Sequence, residues 1–452
     1  MIRIQNNSKD VKPGDTFVAI KGHITDGHKY IDTAIKNGAT RLIVSNGQQY
    51  DVETINVDNT EEYLNKYMVE NYADEFKDMK FIGITGTNGK TTIAFMTYQA
   101  LRKLGIKVAY LGTIGFFYND EFEKTLNTTP DILNLYKYLE KAKDNGCNIV
   151  ILEASSVALQ VGRLNGINFD ATIFTNLTHE HMEDHHTMEN YLHAKMLIND
   201  KLKKDGISIV NTDDEYGHYF QTQNTISYGF NNTDAICTKC NDSFNEFTFT
   251  YKGKEYNVKS SLYGKYNIYN IMASFVVLDY LNVDIQKIAD MYETFIPPKG
   301  RMNVTPWKNN KIIVDYAHTP DGVEKVLTAA KEMTEGKIYV VFGCTGDREK
   351  EKRPMMGKIV EQYSNYFIIT DDDPHYEDEL QIANDIVKGI TSTNYEIIID
   401  RKKAIERGME LLNDNDILLI LGKGHEDSIR IKDQNIQHND EDWVKEIIKR
   451  MV

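Results

Sequence analysis

Gly83-Ile84-Thr85-Gly86-Thr87-Asn88-Gly89-Lys90-Thr91-Thr92 reads GITGTNGKTT, a glycine-rich stretch ending in Gly-Lys-Thr-Thr. It follows the apolar run KFIGIT, which has strand character. It precedes TTIAFMTYQALRKLG, whose apolar positions repeat at helical spacing until Gly105. A glycine loop between a strand and a helix suits a phosphate group. Glycines let backbone N–H groups approach the oxygens, the helix N-terminus favours an anion, Lys90 neutralises it and Thr91 can reach Mg²⁺. The spacing departs from GxxxxGK[ST], because Gly83 lies one residue too far from Gly89 and Gly86 too close.

The flanking sequence repeats the strand-helix alternation. Residues 1–75 read as a small mixed α/β unit, with DTFVAI and RLIVS as strands around the helical YIDTAIKNGA. The charged ADEFKDMK marks the next boundary, and FIPPKGRMN reads as a linker because Pro297 and Pro298 cannot continue a helix. After it, KIIVDYAHTP, IYVVFGCTGD, NYFIITDDDP and DILLILGKGHED are apolar runs that each end in a polar loop. Such alternation predicts a parallel sheet with ligands at the carboxyl ends of its strands. The expected class is α/β in three domains: 1–75, small and mixed; 76–298, central and P-loop ATPase-like with a parallel sheet; 299–452, Rossmann-like.

Composition narrows the function. A length of 452 residues with 41% hydrophobic content supports several cores, and a net charge of -15 with a pI near 5.3 argues against a nucleic-acid partner. No basic-then-apolar leader is seen, and no apolar run reaches the ~18 residues of a membrane helix, so a cytoplasmic chain without a membrane partner is expected. Cys147, Cys237, Cys240 and Cys344 are too few for a disulfide scaffold, and the CxxC of Cys237 and Cys240 lacks the second pair of a structural zinc site.

Two further stretches carry chemistry. NIVILEASS is an apolar strand ending on Glu153, a carboxylate placed to hold Mg²⁺ beside a phosphate loop. FTNLTHEHMEDHHTMENYLHAKMLI holds five of the 12 histidines and suggests a metal hydrolase, but the zincin pattern fails at Glu183, where a histidine is required.

Taken in order, TGTNGKTT, LEASS, FTNLTHEH, YLHAK, GKYNIYNIMA, GRM, VDYAHTPDG and GKGHED resemble the Mur ligases of bacterial cell-wall synthesis, over nearly the whole chain. VKPGDTFVAIKGHITDGHKYIDTAIKNGA and GCTGDREKEKRP look most like the MurE type, which adds a diamino acid to UDP-N-acetylmuramoyl-L-alanyl-D-glutamate. The resemblance implies ATP-dependent amide ligation through an acyl phosphate, in which catalysis is chiefly positioning and charge neutralisation. It implies a UDP-sugar-binding first domain, an ATP-binding second and an amino-acid-binding third, and a monomer is expected.

The same resemblance assigns residues. Gly86, Thr87, Asn88, Gly89, Lys90, Thr91 and Thr92 hold the phosphates, Asn267 and Asn270 lie on the adenine side, and Arg301, Asp315 and His318 add nucleotide contacts. Lys90, Glu153, His181 and Lys195 are the catalytic set. Thr91, Glu153, His181 and Lys195 serve Mg²⁺, with Lys195 expected as a carbamate. Ser8 and His23 match uridine-side positions, and Thr128, Thr129, Ser155 and Arg163 match contacts to the muramoyl peptide.

For the added amino acid, the expected contacts are Arg348, Asp373, His375, Gly422 and Glu426. Family members that add meso-diaminopimelate carry Asp-Asn-Pro-Arg, whose Asn and Arg grip the distal carboxylate, where this chain has Asp373 and His375. An aspartate in place of an amide repels a carboxylate and attracts an ammonium, so L-lysine is the expected substrate, with Arg348 on its α-carboxylate. The alternatives are meso-diaminopimelate or ornithine, a polyglutamate- or cyanophycin-type ligase, or an inactive nucleotide-binding subunit. Further departures are Asn7-Ser8-Lys9 for Asp-Ser-Arg, Val157 for a histidine and Glu183 for an aspartate.

Overall fold

A computed structural model describes residues 2–22 and 25–451. The chain falls into two units: Met1–Thr85 with Leu101–Thr172 and Leu197–Gly206, and Gly86–Ala100 with Ile173–Met196 and Ile207–Val452.

In the first unit, strands Ile4–Gln5, Thr16–Val18, Arg41–Val44 and Glu53–Asn56 form a parallel sheet in chain order. Phe17, Leu42 and Val44 pack there with Ile31 and Ala34 of helix Ile31–Lys36. Helix Thr60–Tyr72 starts where the Asn59 side chain accepts the N–H groups of Glu61 and Glu62. A second set of strands runs Lys80–Thr85, Ile149–Glu153, Val108–Gly112, the three mutually parallel, followed by antiparallel Gly115–Tyr118 and Glu121–Glu123. The three parallel strands are nearly continuous apolar runs, as burial on both faces demands. Helix Ile132–Asp144, N-capped by Asp131, buries Ile132, Leu135, Tyr136 and Leu139 on one face.

In the second unit, the strand ending at Asn211 pairs in parallel with Thr225–Gly229, which pairs in parallel with Ala235–Cys240. Antiparallel strands Glu246–Tyr251 and Lys254–Lys259 extend it. Helix Lys265–Tyr280 is apolar almost all round and correspondingly buried. Pro297 and Pro298 lie outside helix and strand, and Ile207–Val452 falls in one unit across them.

A six-stranded sheet follows, in the order Asn303–Trp307, Asn310–Asp315, Ile417–Leu421, Ile338–Phe342, Tyr366–Ile369, Tyr395–Ile397. Its first strand is antiparallel and the others are parallel. Helices Pro320–Glu332, Lys352–Tyr363 and Glu379–Val387 contribute to one apolar cluster, and Arg401–Glu410 and Asp440–Met451 to another, so the sheet is covered on both faces. The parallel direction collects the loops after Asp315, Phe342, Ile369 and Leu421 at one edge, where such sheets bind ligands. Among the described residues, no helix is long and apolar enough to cross a membrane.

Candidate functional site

The loop between the strand ending at Thr85 and the helix beginning at Lys90 needs its glycines. Gly86 has φ +141° and Gly89 φ +91°, and a Cβ on Gly89 would stand 2.6 Å from Asn270 Oδ1. The second unit holds the loop by its own polar groups. Thr87 N donates to the Asn176 carbonyl at 2.8 Å, Asn88 N donates to Asn176 Oδ1 at 2.9 Å, and Thr175 Oγ1 donates to the Asn88 carbonyl at 2.6 Å. Asn88 Nδ2 reaches Asp321 Oδ2 at 2.7 Å. Thr91 and Thr92 are buried at the start of the helix.

Two lysines meet at this loop. Lys90 Nζ donates to the carbonyls of Gly86 and Thr87, each at 2.8 Å, and Lys195 Nζ donates to the same Gly86 carbonyl at 2.8 Å. Lys195 is 1% exposed, and burial together with the Lys90 charge holds its amine well below the usual lysine range. Glu180 accepts from His318 Nε2 at 3.1 Å. Burial would raise its carboxyl, yet that hydrogen bond and the charges of His181, His318 and Lys90 hold it well below the usual value.

His181, with φ +58°, groups with Glu183 and Asp184 so that one ligand atom from each lies within 4.8 Å of the others. Partial desolvation holds its imidazole below the usual value against the pull of Glu180. On helix Lys265–Tyr280, Asn270 Nδ2 donates to Asn267 Oδ1 at 2.9 Å, and Asn267 Nδ2 to the Tyr263 carbonyl at 2.7 Å. Asp315 accepts the N–H groups of Met302 and Ala317, both at 2.7 Å, and burial raises its carboxyl. Arg301 lies 4.7 Å over the Tyr316 ring, and the Tyr316 carbonyl meets His318 Nδ1 at 2.8 Å.

The first unit carries its own array. Glu153 is 1% exposed and accepts from Tyr110 Oη at 2.5 Å, Thr113 N at 3.1 Å and Thr113 Oγ1 at 3.0 Å. A Cβ on Gly112 would strike that carboxylate, so the strand end needs a glycine. Thr128 Oγ1 lies 3.1 Å from Thr113 Oγ1, Thr129 Oγ1 donates to the Glu153 carbonyl at 2.7 Å, and Arg163 Nη1 donates to the Thr129 carbonyl at 2.9 Å. Ser155 joins them through its N–H to Thr129 Oγ1 and also caps helix Ser156–Gln160. Ser8 is buried in a short turn capped by Asn7, and its carbonyl accepts from Asn37 Nδ2. His23 lies outside the described residues.

At the carboxyl edge of the six-stranded sheet, the expected acidic pocket already contains a cation. Lys423 is fully buried, with Nζ 2.7 Å from Asp373 Oδ1, 3.8 Å from Asp372 Oδ1 and in contact with Glu426. Burial would lower its amine, but the three carboxylates raise it. Asp373 also accepts the Arg430 N–H at 2.7 Å. The charge that suggested a lysine substrate is therefore matched from inside, and Asp373 is not an open anion. Gly422, with φ +108°, turns the chain beside Asp372. Arg348 is half-exposed and 3.5 Å from Glu183, while His375 adopts φ +51°.

Among the polar residues that reading the sequence missed are Asn176, Glu180, Asp321 and Lys423. Asn176 and Glu180 lie inside FTNLTHEH, and Lys423 inside GKGHED; only pairing across distant segments reveals their roles.

Comparison with known proteins agrees with this arrangement. The sequence matches the Mur ligase family, catalytic domain, over residues 3–76; the Mur ligase middle domain over 84–278; and the Mur ligase, glutamate ligase domain, over 300–424. It is 36% identical over 463 aligned positions to the UDP-N-acetylmuramoyl-L-alanyl-D-glutamate--2,6-diaminopimelate ligase of Clostridium tetani, covering 99% of this chain and 95% of that one. It is 37% identical over 435 positions to the enzyme of the same name from Fusobacterium nucleatum, covering 94% and 89%. A solved structure of a ligase of that name superimposes with a TM-score of 0.67 at 29% identity, covering 100% and 95%. MurF ligase from Thermotoga maritima, solved with ADP, shares the fold at a TM-score of 0.73 and 21% identity, covering 100% and 98%. With matches in three consecutive segments and relatives above 30% identity along nearly its full length, the chain belongs to the Mur ligase family.

Proposed function

We propose that this chain is an ATP-dependent ligase that joins 2,6-diaminopimelate to UDP-N-acetylmuramoyl-L-alanyl-D-glutamate in peptidoglycan synthesis, in the cytoplasm. The observation that carries the ligase reading is the convergence of Lys90 and buried Lys195 on the Gly86 carbonyl of the phosphate loop. The names of the relatives and the internal pairing of Asp373 with Lys423 support diaminopimelate over lysine.

The chemistry follows from charge. A D-glutamyl carboxylate does not react with an amine at neutral pH. One of its oxygens bonds to the γ-phosphorus of ATP as the bond to ADP breaks, giving an acyl phosphate. The amine lone pair then forms the C–N bond, phosphate leaves, and the amine nitrogen gives up a proton. Lys90 neutralises phosphate charge at the loop, and the helix starting at Lys90 offers its N-terminus to the same anion. Glu180 orients His318, while Asn267 and Asn270, locked together by a hydrogen bond, offer a fixed polar edge to adenine. In the first unit, Thr128, Thr129, Ser155 and Arg163 hold the muramoyl peptide beside Glu153.

The donor set in the second unit fits a hard divalent cation: the His181 ring stands beside Glu183 and Asp184, and Thr91 adds a hydroxyl at the start of the helix that follows the phosphate loop. Lys195, buried and favoured as a neutral amine, fits conversion by CO₂ to a carbamate, which releases one proton and turns it into an oxygen ligand. Thr91, His181 and carbamylated Lys195 would hold Mg²⁺ in the second unit, and in the first unit Glu153 is the carboxylate we assign to a metal; Mg²⁺ would screen phosphate charge from the approaching carboxylate. We place the UDP-sugar part in 1–75, the nucleotide part in 76–298 and the amino-acid part in 299–452.

Phosphate release tests the ligase reading. It should require ATP, the UDP-linked dipeptide and a diamino acid together, and Lys90→Met should lower kcat by about 10²- to 10³-fold. Release unaffected by Lys90→Met, or independent of the dipeptide, would overturn it.

A further inference from the structure

The antiparallel hairpin of strands Ser428–Ile431 and Gln434–Gln437 lies just beyond residue 424, where the Mur ligase, glutamate ligase domain match ends. It is stitched to the loop at the carboxyl edge of the six-stranded sheet. His375 N donates to the Arg430 carbonyl at 3.1 Å, Lys432 N to the His375 carbonyl at 2.7 Å, and Arg430 N to Asp373 Oδ1 at 2.7 Å. The backbone of Arg430 is thus fixed against the loop that follows Ile369, where a ligand of this sheet belongs.

Side-chain alternation then decides what the hairpin presents. Ile429 is 8% exposed and faces inward, so its neighbour Arg430 faces solvent. Among the described residues, no carboxylate lies within ion-pair distance of its guanidinium, whose one side-chain hydrogen bond is a long 3.5 Å contact to the Lys432 carbonyl. Burial lowers the His375 imidazole, and the Arg430 and Arg348 charges lower it further against Asp373 and Asp347, so His375 is a poor cation at neutral pH. Lys423 is thus matched from inside by Asp372, Asp373 and Glu426, while the Arg430 and Arg348 charges act on His375 from outside that set.

Diaminopimelate differs from lysine by one distal carboxylate, and a carboxylate is what a guanidinium without an ion-pair partner, carried on a backbone held against the loop, binds best. We propose that Arg430 is a specificity-determining residue that takes the distal carboxylate of diaminopimelate, while Arg348 takes the α-carboxylate. This inference rests on the diaminopimelate reading above.

Steady-state ligation by the full chain, with meso-diaminopimelate and L-lysine as separate acceptors, tests it in wild type, Arg430→Gln and Arg430→Lys. Arg430→Gln should raise KM for diaminopimelate about 10- to 100-fold while leaving KM for ATP and kcat at saturation within about twofold. Its kcat/KM for lysine should hold or rise, so the preference for diaminopimelate collapses, and Arg430→Lys should restore part of it. An unchanged KM for diaminopimelate in Arg430→Gln would overturn the role of Arg430 with the substrate reading intact. A wild type that ligates lysine and not diaminopimelate would instead overturn the substrate reading, and the inference with it.

Discussion

A lysine on an apolar helix face looks like a snorkelling surface residue until its burial is known. In Lys195 the whole amine is enclosed beside a second lysine, and that pair of facts, invisible in YLHAK alone, makes its neutral form favourable. The glycines of the phosphate loop were legible because positive φ and close approach admit little else, whereas Glu180 was not, since its partner His318 lies 138 residues away. Asp371 shows the same dependence on tertiary neighbours. Burial, helped by Glu379 and opposed by Arg401, raises its carboxyl to about 7. A folded-state pKa above the unfolded value gives stability that is fully present below about pH 4 and lost as pH rises through about 7. Asp371→Asn should therefore flatten the pH dependence of stability between those values and stabilise the protein at pH 8 by about 1–2 kcal/mol after solvent screening. Denaturant titrations at pH 4 and pH 8 check this; a variant less stable at pH 8 would contradict it.

The strands that lead into the site were readable as apolar runs ending in polar loops, because both faces of a parallel sheet are covered. The hairpins have no counterpart in the sequence reading, although EFTFTY alternates and its burial alternates with it. Helices Arg401–Glu410 and Asp440–Met451 are joined by a pair no pattern shows. Arg401 Nε and Nη2 donate to the two Asp440 oxygens at 2.8 and 2.7 Å, with both side chains fully buried. Arg401 also donates to the carbonyls of Asp371 and Leu421, which binds both helices to the ends of the strands that carry the candidate amino-acid site. Arg401→Leu should cost about 3–5 kcal/mol by leaving Asp440 buried beside His438 alone, and the double variant Arg401→Leu with Asp440→Leu should cost less. Unfolding midpoints in urea separate the two; a single variant within about 0.5 kcal/mol of wild type would refute the role of the pair.

For the whole chain, the order of eight motifs was enough to suggest the family, and the matches over 3–76, 84–278 and 300–424 establish it. The identity of the added amino acid was not legible in the same way. TDDDPHYEDE displays its acids but not Lys423, fifty residues from Asp373, nor Arg430 on the hairpin beyond it. A run of charges reports the field around a ligand only after its internal partners are counted. The most direct measurement is the mass of the product formed from ATP, Mg²⁺ and UDP-N-acetylmuramoyl-L-Ala-D-Glu, with meso-diaminopimelate, L-lysine or ornithine supplied separately. The diaminopimelate adduct should form at the lowest acceptor concentration; a lysine or ornithine adduct in its place, or no adduct from any of the three, would contradict the proposed activity.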